Sequence, residues 1–321
     1  MTLFLLAVLG GCSNSNSPND AGFGDGDALS DSDALNDGDV GYNEGDEPGD
    51  QGIWGWISIL ESEDTYTNEP AGWKTGPRAL FAEGPCCYYV LEQHLEHCGE
   101  LQASGGGCAL YKGFWLDVSS CDPDCLDGQE CVDEGGNLVC RDLPAMLEVD
   151  RIDIAGLKAS VSMAPSQSGI YTTDDITDDL FDAGDFVTVD VTKEGLTPYS
   201  LSATGVDPPQ IASNTLELTR GKSSNISWTP AEPGTKIQVF LSGGSHYPHL
   251  YFVTILCEAP DEQGSLEIPA EVVNGFLDVV VGLGIRRYSR IVRTTGDVAT
   301  HAGKQVELYL GSAKNLQLVV R

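Results

Sequence analysis

The pattern that decides the fold lies in the seven residues Lys236-Ile-Gln-Val-Phe-Leu-Ser242. In this segment Ile237, Val239 and Leu241 alternate with their neighbours, so the three side chains fall on one face of an extended chain. Such alternation predicts a β-strand with one face directed at a core. The segment Phe186–Val191 has the same pattern, because every second residue from position 187 onward is a valine.

Alternating segments of this kind recur throughout residues 146–321. The segment Leu147–Ile154 alternates apolar and charged residues, with a one-residue phase slip that a β-bulge would absorb. Turn signals such as Asp207-Pro-Pro209 and Pro233-Gly234 separate the segments. Several short strands at this spacing predict a β-sandwich that is completed by closing strands at the C-terminus.

Three segments of this region resemble known modules: Leu216-Glu-Leu-Thr219, Asn225-Ile-Ser-Trp-Thr-Pro230 and Pro233–Leu241. They resemble the early strands of fibronectin type III and immunoglobulin-like (Ig-like) modules. With their flanking segments they also look like β domains of lipoproteins of myxobacterial and related deltaproteobacterial type. The resemblance implies a mainly β fold with an Ig-like β-sandwich over residues 146–321. We expect Trp228 in its core, and Cys257 as a buried thiol on an apolar strand.

A short apolar run at the N-terminus, Leu3–Leu9, leads into Leu9-Gly10-Gly11-Cys12. These four residues resemble a bacterial lipobox, in which a signal peptidase cuts before the cysteine and a diacylglycerol is attached to its sulfur. The resemblance implies that residues 1–11 are a lipoprotein signal peptide and that acyl chains such as palmitate on Cys12 tether the protein to a membrane. Ser13 favours the outer membrane or cell surface, by similarity to enterobacterial sorting. The alternatives are an ordinary cleaved signal or a buried apolar N-terminus, since the run is too short to span a bilayer.

The sequence predicts that residues 12–51 form an acidic spacer. The first 50 residues carry 11 acidic side chains and no lysine or arginine. A segment with that charge and little apolar content cannot bury enough surface to offset its ordering entropy, so we expect a disordered linker. Calcium binding is the alternative, because Asp-x-Asp is a ligand pattern for hard cations. Leu29, however, stands where the calcium-loop pattern requires its third ligand.

Residues 52–145 contain eight of the ten cysteines, all between Cys86 and Cys140. So many thiols are most simply explained by disulfides that form in an oxidising compartment, which agrees with the lipobox. The alternation in Gly52–Ile59 also predicts a strand here. The region is therefore predicted to be disulfide-rich β structure.

The most specific cysteine spacing spans residues 121–140. The predicted cysteine knot consists of Cys121, Cys125, Cys131 and Cys140. Its spacing resembles small EGF-like modules, although it has four cysteines instead of six. Gly135-Gly136 offers a hairpin turn, and the connectivity that matches the first two EGF-type bridges joins Cys121 to Cys131 and Cys125 to Cys140.

The other cysteines of the region are predicted to pair among themselves, which leaves Cys257 as the odd thiol. This second group consists of Cys86, Cys87, Cys98 and Cys108. Zinc binding by His94, His97 and Cys98 is the alternative. Disulfides are favoured because the cysteines come in even number and no Cys-x-x-Cys pair is present.

The formal charge of −32 makes nucleic acid and anionic lipid head groups poor partners for most of the surface. The C-terminal forty residues reverse this sign. Their basic residues are Arg286, Arg287, Arg290, Arg293, Lys304, Lys314 and Arg321. They either pair internally with the acidic remainder of the chain or form a docking face for an acidic polysaccharide.

Motifs of catalysis and cofactor binding are nearly absent from the sequence. Gly221-Lys222-Ser223 mimics the end of a phosphate loop, but Leu216 occupies the upstream glycine position. His246 and His249 follow a Gly-Gly turn and offer a weak metal-site alternative. We therefore expect no catalytic residues, no metal and no cofactor, and a lipid-anchored surface protein that acts in adhesion, envelope structure or the binding of a protein or glycan. The alternative is a carbohydrate-processing or metal-dependent envelope enzyme.

Overall fold

The computed structural model describes eleven ranges of the chain: residues 53–62, 75–82, 100–114, 129–133, 138–142, 146–164, 170–173, 179–231, 233–245, 251–280 and 286–321. Several predicted features lie outside them. These are the signal peptide, the acidic spacer, Cys12, Cys86, Cys87, Cys98, Cys121, Cys125 and the histidines at 94, 97, 246 and 249.

The described residues are mainly strand, as the sequence predicts. The strands are β1 (Trp54–Ser62), β2 (Gly76–Ala82), β3 (Glu100–Gly105), β4 (Cys108–Phe114), β5 (Gln129–Asp133), β6 (Leu138–Asp142), β7 (Arg151–Ala155), β8 (Val161–Met163), β9 (Ile170–Thr172), β10 (Phe186–Thr192), β11 (Tyr199–Thr204), β12 (Gln210–Ile211), β13 (Thr215–Leu218), β14 (Ser224–Thr229), β15 (Lys236–Ser245), β16 (Tyr251–Pro260), β17 (Ser265–Ile268), β18 (Arg286–His301), β19 (Lys304–Asn315) and β20 (Gln317–Val320). The α-helix found within these ranges is α1 (Ala270–Val280).

The central element of the structure is a nine-stranded sheet, with the strand order β3-β4-β16-β15-β18-β19-β1-β2-β9. Its longest strands, β18 and β19, are joined by the two-residue turn Ala302-Gly303, in which both residues have positive φ. That backbone twist matches the twist of the strands it connects, as in other two-residue hairpins. Because these two strands run through the middle of the sheet, they connect its two halves.

Two hydrophobic cores lie on one face of this sheet. The first core packs the four-stranded sheet β11-β10-β7-β8 against β1, β2, β9 and part of β19. The second core packs the sheets β12-β14-β17 and β13-β20, together with α1, against β4, β15, β16 and part of β18. Each half is thus a β-sandwich, and the two sandwiches share one continuous sheet.

The alternating patterns explain which side chains enter the cores. In β10 the buried residues are Val187, Val189 and Val191, and in β15 they include Ile237, Val239 and Leu241, as the sequence predicts. In α1 the buried residues follow helical spacing and include Val272, Phe276 and Val280. The sequence patterns considered above did not predict this helix, because its valines favour strand.

Strands from the two predicted regions pair with one another. β1, from region 52–145, lies parallel to β19, from region 146–321, with Ile57 opposite Leu308. β4 likewise pairs with β16, with Leu110 opposite Ile255. The predicted division after residue 145 therefore does not coincide with a boundary between sheets. Local patterns could not reveal this, because the pairing joins segments about 150 to 250 residues apart in the chain.

Candidate functional site

A disulfide between Cys108 and Cys257 links the neighbouring strands β4 and β16 of the nine-stranded sheet, and both cysteines line the second core. The two residues lie directly opposite one another, and their Cα atoms are 3.9 Å apart. The prediction that Cys108 pairs within the 86–108 group and leaves Cys257 as a free thiol is therefore wrong. The reason is register: Cys108 and Cys257 face each other in the sheet although 149 residues separate them.

The described part of the predicted cysteine knot is the hairpin β5–β6. Cys131 and Cys140 lie opposite one another there, and Cys140 is disulfide-bonded. Cys121 and Cys125 are outside the described residues, so the predicted Cys121–Cys131 and Cys125–Cys140 pairs stay predictions.

The basic residues near the C-terminus do not share one face. Arg293 is 2% exposed and lies 3.2 Å from the carboxylate of Asp261, which is fully buried. Arg290 is also buried, with its guanidinium 5.6 Å from the centroid of the Phe240 ring. Arg321 forms an exposed ion pair with a glutamate. The alternative that these basic residues form a docking face for acidic polysaccharide is therefore wrong for Arg290 and Arg293. Both side chains are buried, and strand alternation places them on opposite faces of the sheet.

The Arg293 guanidinium connects three segments above the nine-stranded sheet, namely the 207–208 loop, the end of β14 and the 3₁₀ turn Asp261–Gln263. It donates hydrogen bonds to the backbone oxygens of Asp207 (3.1 Å), Pro208 (3.4 Å) and Thr229 (2.8 Å). Asp261 also accepts hydrogen bonds from the backbone N–H of Ala231 and the hydroxyl of Thr235. A buried charge pair is stable only when its remaining donors and acceptors are satisfied, and this arrangement largely achieves that.

Trp228 confirms its predicted place in the core. It is buried in the second core, and its indole N–H donates to the backbone oxygen of Asp261 at 2.8 Å. Gly221-Lys222-Ser223 forms the turn between β13 and β14, with Gly221 at positive φ.

A polar seam separates the two cores on the face of the nine-stranded sheet that carries them. It consists of Arg293, Ser312 and Glu61, which lie side by side on β18, β19 and β1. One Glu61 oxygen accepts the backbone N–H of Leu180 at 3.0 Å, and the other accepts the Ser312 hydroxyl at 3.1 Å. Burial raises the pKa of the Glu61 carboxyl, although these hydrogen bonds oppose the shift.

Lys158 contributes a positive charge near Glu61. It forms ion pairs with Asp179 and, at 2.9 Å, with Asp182. Hydrogen bonds to Asp179 and then to Asp182 raise the pKa of the Lys158 ammonium group above its usual value. The seam is thus a row of polar and charged side chains between the two apolar cores.

The outward surface of the sheet β11-β10-β7-β8, here called the open face, carries polar side chains and one exposed aromatic ring. Its residues are Arg151, Asp153, Ala155, Ser162, Phe186, Thr188, Asp190, Thr192, Ser200, Ser202 and Thr204. All of them are exposed or half-buried. The Phe186 side chain is unusual among them, because it is large and apolar and yet 64% exposed.

Hydrogen bonds organise the polar part of the open face. Asp190 accepts the hydroxyl of Ser200 at 2.6 Å and lies directly opposite Asp153 on the neighbouring strand. Asp153 accepts the guanidinium of Arg151 at 2.7 Å, and that guanidinium also donates to Ser162 at 3.2 Å. Two carboxylates side by side repel one another, and these partners reduce the repulsion. The sequence predicted the strand that carries Phe186 and Asp190 but did not mark either residue as functional.

The described residues contain no group of three or more histidine, cysteine or acidic side chains placed to hold a metal ion. Nor does any helix in the described ranges have the length and apolar character needed to cross a membrane.

No protein-family model matches this chain, and no curated protein matches it. Among solved structures, the chain is similar to the FN1–FN3 domains of chicken CNTN1 with a TM-score of 0.18 and 6% sequence identity. The alignment covers 66% of this chain and 97% of that chain. A likeness at this TM-score carries no argument about fold or function, so the description of a mainly β sandwich rests on the strands and cores themselves.

Proposed function

We propose that this chain is a lipid-anchored protein of the outer membrane or cell surface that binds a ligand through its β-sandwiches, in adhesion or in envelope structure. The observation that supports the location is the buried Cys108–Cys257 disulfide. Disulfides persist in extracytoplasmic compartments and are rare where thiols are kept reduced. This agrees with the lipobox at residues 9–12. The EGF-like character of residues 121–140 is part of the same proposal.

The proposed spacer gives the folded part freedom above the membrane. Forty residues separate Cys12 from Ile53, the first described residue. A flexible chain of that length spans roughly 35 Å on average, and its acidic charges extend it further. The backbone N–H of Ile53 donates to the Tyr199 hydroxyl of β11 at 3.0 Å, so the spacer would join the molecule beside the four-stranded sheet.

Binding fits the open face better than catalysis does. Its two carboxylates, Asp153 and Asp190, lie on the surface of a sheet, and Asp190 is exposed to solvent. Acid and base catalysis by carboxylates relies on a water-excluding site that shifts their pKa values. The alternative of a carbohydrate-processing or metal-dependent enzyme therefore gains no support from this surface.

Metabolic labelling with an alkynyl palmitate analogue tests the anchor. We expect the wild-type chain to carry the label and to fractionate with membranes, because acyl chains dominate its membrane affinity. The Cys12→Ala variant is expected to lose the label and to be found in a soluble or unprocessed form instead of the processed membrane-bound form. The control variant Ser13→Ala keeps the cysteine and is expected to keep the label. Undiminished labelling of Cys12→Ala would contradict the lipoprotein proposal.

A further inference from the structure

The size of the open face limits what it can bind. Three strand spacings of about 4.8 Å and the seven residues of β10, at about 3.4 Å each, give a surface of roughly 340 Å². A standard protein interface buries about 800 Å² on each partner and has an apolar core. The open face is smaller than that, and Phe186 is the one large apolar side chain in its set of residues. It therefore fits a small ligand better than a folded partner or a second copy of the chain.

The charge of the open face limits the ligand further. Two carboxylates face one guanidinium, which Asp153 already occupies. The chain as a whole carries a formal charge of −32. Anionic ligands are repelled by such a surface, so a neutral ligand with hydrogen-bond donors is favoured.

The arrangement along β10 offers two kinds of contact at once. The exposed Phe186 ring provides an apolar platform, and the Asp190 carboxylate lies four residues further along the same face, about 13 Å away. The Asp190 oxygen Oδ1 accepts a hydrogen bond from the Ser200 hydroxyl, while Oδ2 has no hydrogen-bond partner among the described residues. Between them lie the short side chains of Thr188 and Ser202, which sit opposite one another and leave room above the sheet.

A sugar matches this combination, because a pyranose ring has an apolar face of C–H groups and an edge of hydroxyl donors. We propose that the open face binds a short neutral glycan, with Phe186 as the platform for one sugar ring and Asp190 as an acceptor for the hydroxyls of another. This proposal names a ligand class for the surface-binding function proposed above, and it rests on that function because the protein must lie at the cell surface to encounter such a glycan.

Binding of neutral hexasaccharides to the full chain, purified in mild detergent, is the test. The probes are maltohexaose, cellohexaose, chitohexaose and mannohexaose at millimolar concentration, followed by saturation-transfer NMR and titration calorimetry. We expect at least one to bind, and Phe186→Ala to weaken its binding about ten-fold. Asp190→Ala is expected to weaken it about ten-fold as well, because a hydrogen bond to a charged group is lost. Phe186→Tyr keeps the platform and is expected to keep the affinity.

Two matched controls separate a specific platform from general exposure of apolar groups. Leu101 and Val298 are 54% and 53% exposed and belong to the nine-stranded sheet. Leu101 lies on the edge strand β3. Val298 lies on β18 next to Asp297, which accepts the backbone N–H of Ser202, so strand alternation directs the Val298 side chain to the opposite face of the nine-stranded sheet. Leu101→Ala and Val298→Ala are therefore expected to leave binding unchanged. Thermal unfolding of each variant checks that the fold is retained.

Three results would overturn the proposal. One is that none of the four hexasaccharides binds, and another is that Phe186→Ala binds as well as the wild type. The third is a concentration-dependent dimer in sedimentation equilibrium that Phe186→Ala disperses, because the face would then be an interface between copies of the chain. The palmitate experiment is measured on cells and the glycan experiment on purified protein, so failure of the anchor and failure of the glycan site are distinguishable.

Discussion

The two cores are built on the same sheet but are held together differently. The first core is covered by one continuous four-stranded sheet, and no cysteine is among its described residues. The second core is covered by two small sheets and a helix, and the longest strand among those small sheets has six residues. It also contains the Cys108–Cys257 disulfide and borders the buried pair of Arg293 and Asp261.

The difference shows two ways of fixing a layer over a sheet. A continuous ladder of backbone hydrogen bonds positions β7, β8, β10 and β11 relative to one another. The cover of the second core has only short ladders, so side chains must hold its pieces in place. Arg293 does so by donating hydrogen bonds to backbone oxygens in the 207–208 loop and at the end of β14. The simpler cover leaves its outer surface free, which is where the open face lies.

Among the changes that test this comparison, removal of the disulfide is expected to lower the free energy of unfolding the most. In Cys108→Ala/Cys257→Ala a closed loop of about 149 residues is released, which the chain-entropy model converts to roughly 5 kcal/mol of unfolding free energy. Urea unfolding measures the loss. Amide exchange at Val189 and Ile154 in the first core and at Val239 in the second core shows whether both cores weaken.

We expect both cores to lose protection together, because β18 and β19 pass through both sandwiches. Loss of protection confined to the second core would show that the shared sheet does not couple the two halves. A change of less than about 1 kcal/mol would instead contradict a stabilising role for the disulfide.

Loss of the Arg293 side chain is expected to rank next. Arg293→Met leaves the Asp261 carboxylate buried without its charge partner, which typically costs roughly 3 to 5 kcal/mol. Urea unfolding at neutral pH measures the change. Arg321→Met is the matched control, because it breaks an exposed pair with Glu217 and is expected to cost less than about 1 kcal/mol. Equal effects of the two variants would contradict the role of Arg293 as a clamp on the second core.

The smallest effect is expected at the seam, from Glu61→Gln. The folded state raises the pKa of Glu61 above its ordinary value of 4.5, so the folded protein holds this proton more tightly than the unfolded chain does. The stability that this group contributes is present below pH 4.5 and is lost as the pH rises through the folded pKa. Glutamine stays neutral, and its side chain can still accept from Leu180 and bond to Ser312.

The stability of Glu61→Gln relative to the wild type should therefore rise as the pH increases from 4 to 7. Chemical denaturation across that interval measures the trend. Glu262→Gln, at an exposed position, is the control for removing one negative charge. A relative stability of Glu61→Gln that falls with pH would show that the hydrogen bonds of the seam outweigh burial.

Local patterns predicted much of the fold. Alternation in Phe186–Val191 and in Lys236–Ser242 identified strands and their core faces, because period-two burial is a local property of an extended chain. The burial of Trp228 was expected instead from the resemblance to fibronectin type III and Ig-like modules. The candidate site was harder to predict from the sequence. Whether Phe186 is exposed depends on which face of β10 is left uncovered and on where the neighbouring strands end. An apolar residue at the end of a strand does not carry that information.

The sequence by itself determined that this chain forms mainly β structure with many disulfide-forming cysteines, because alternation and cysteine content are readable from residue order. The tertiary structure alone decided that β1 pairs with β19, that Cys108 faces Cys257, and that Arg293 is buried against Asp261. Each of these depends on register between segments far apart in the chain. Register is set by how whole sheets pack their apolar faces, and no single segment carries that information.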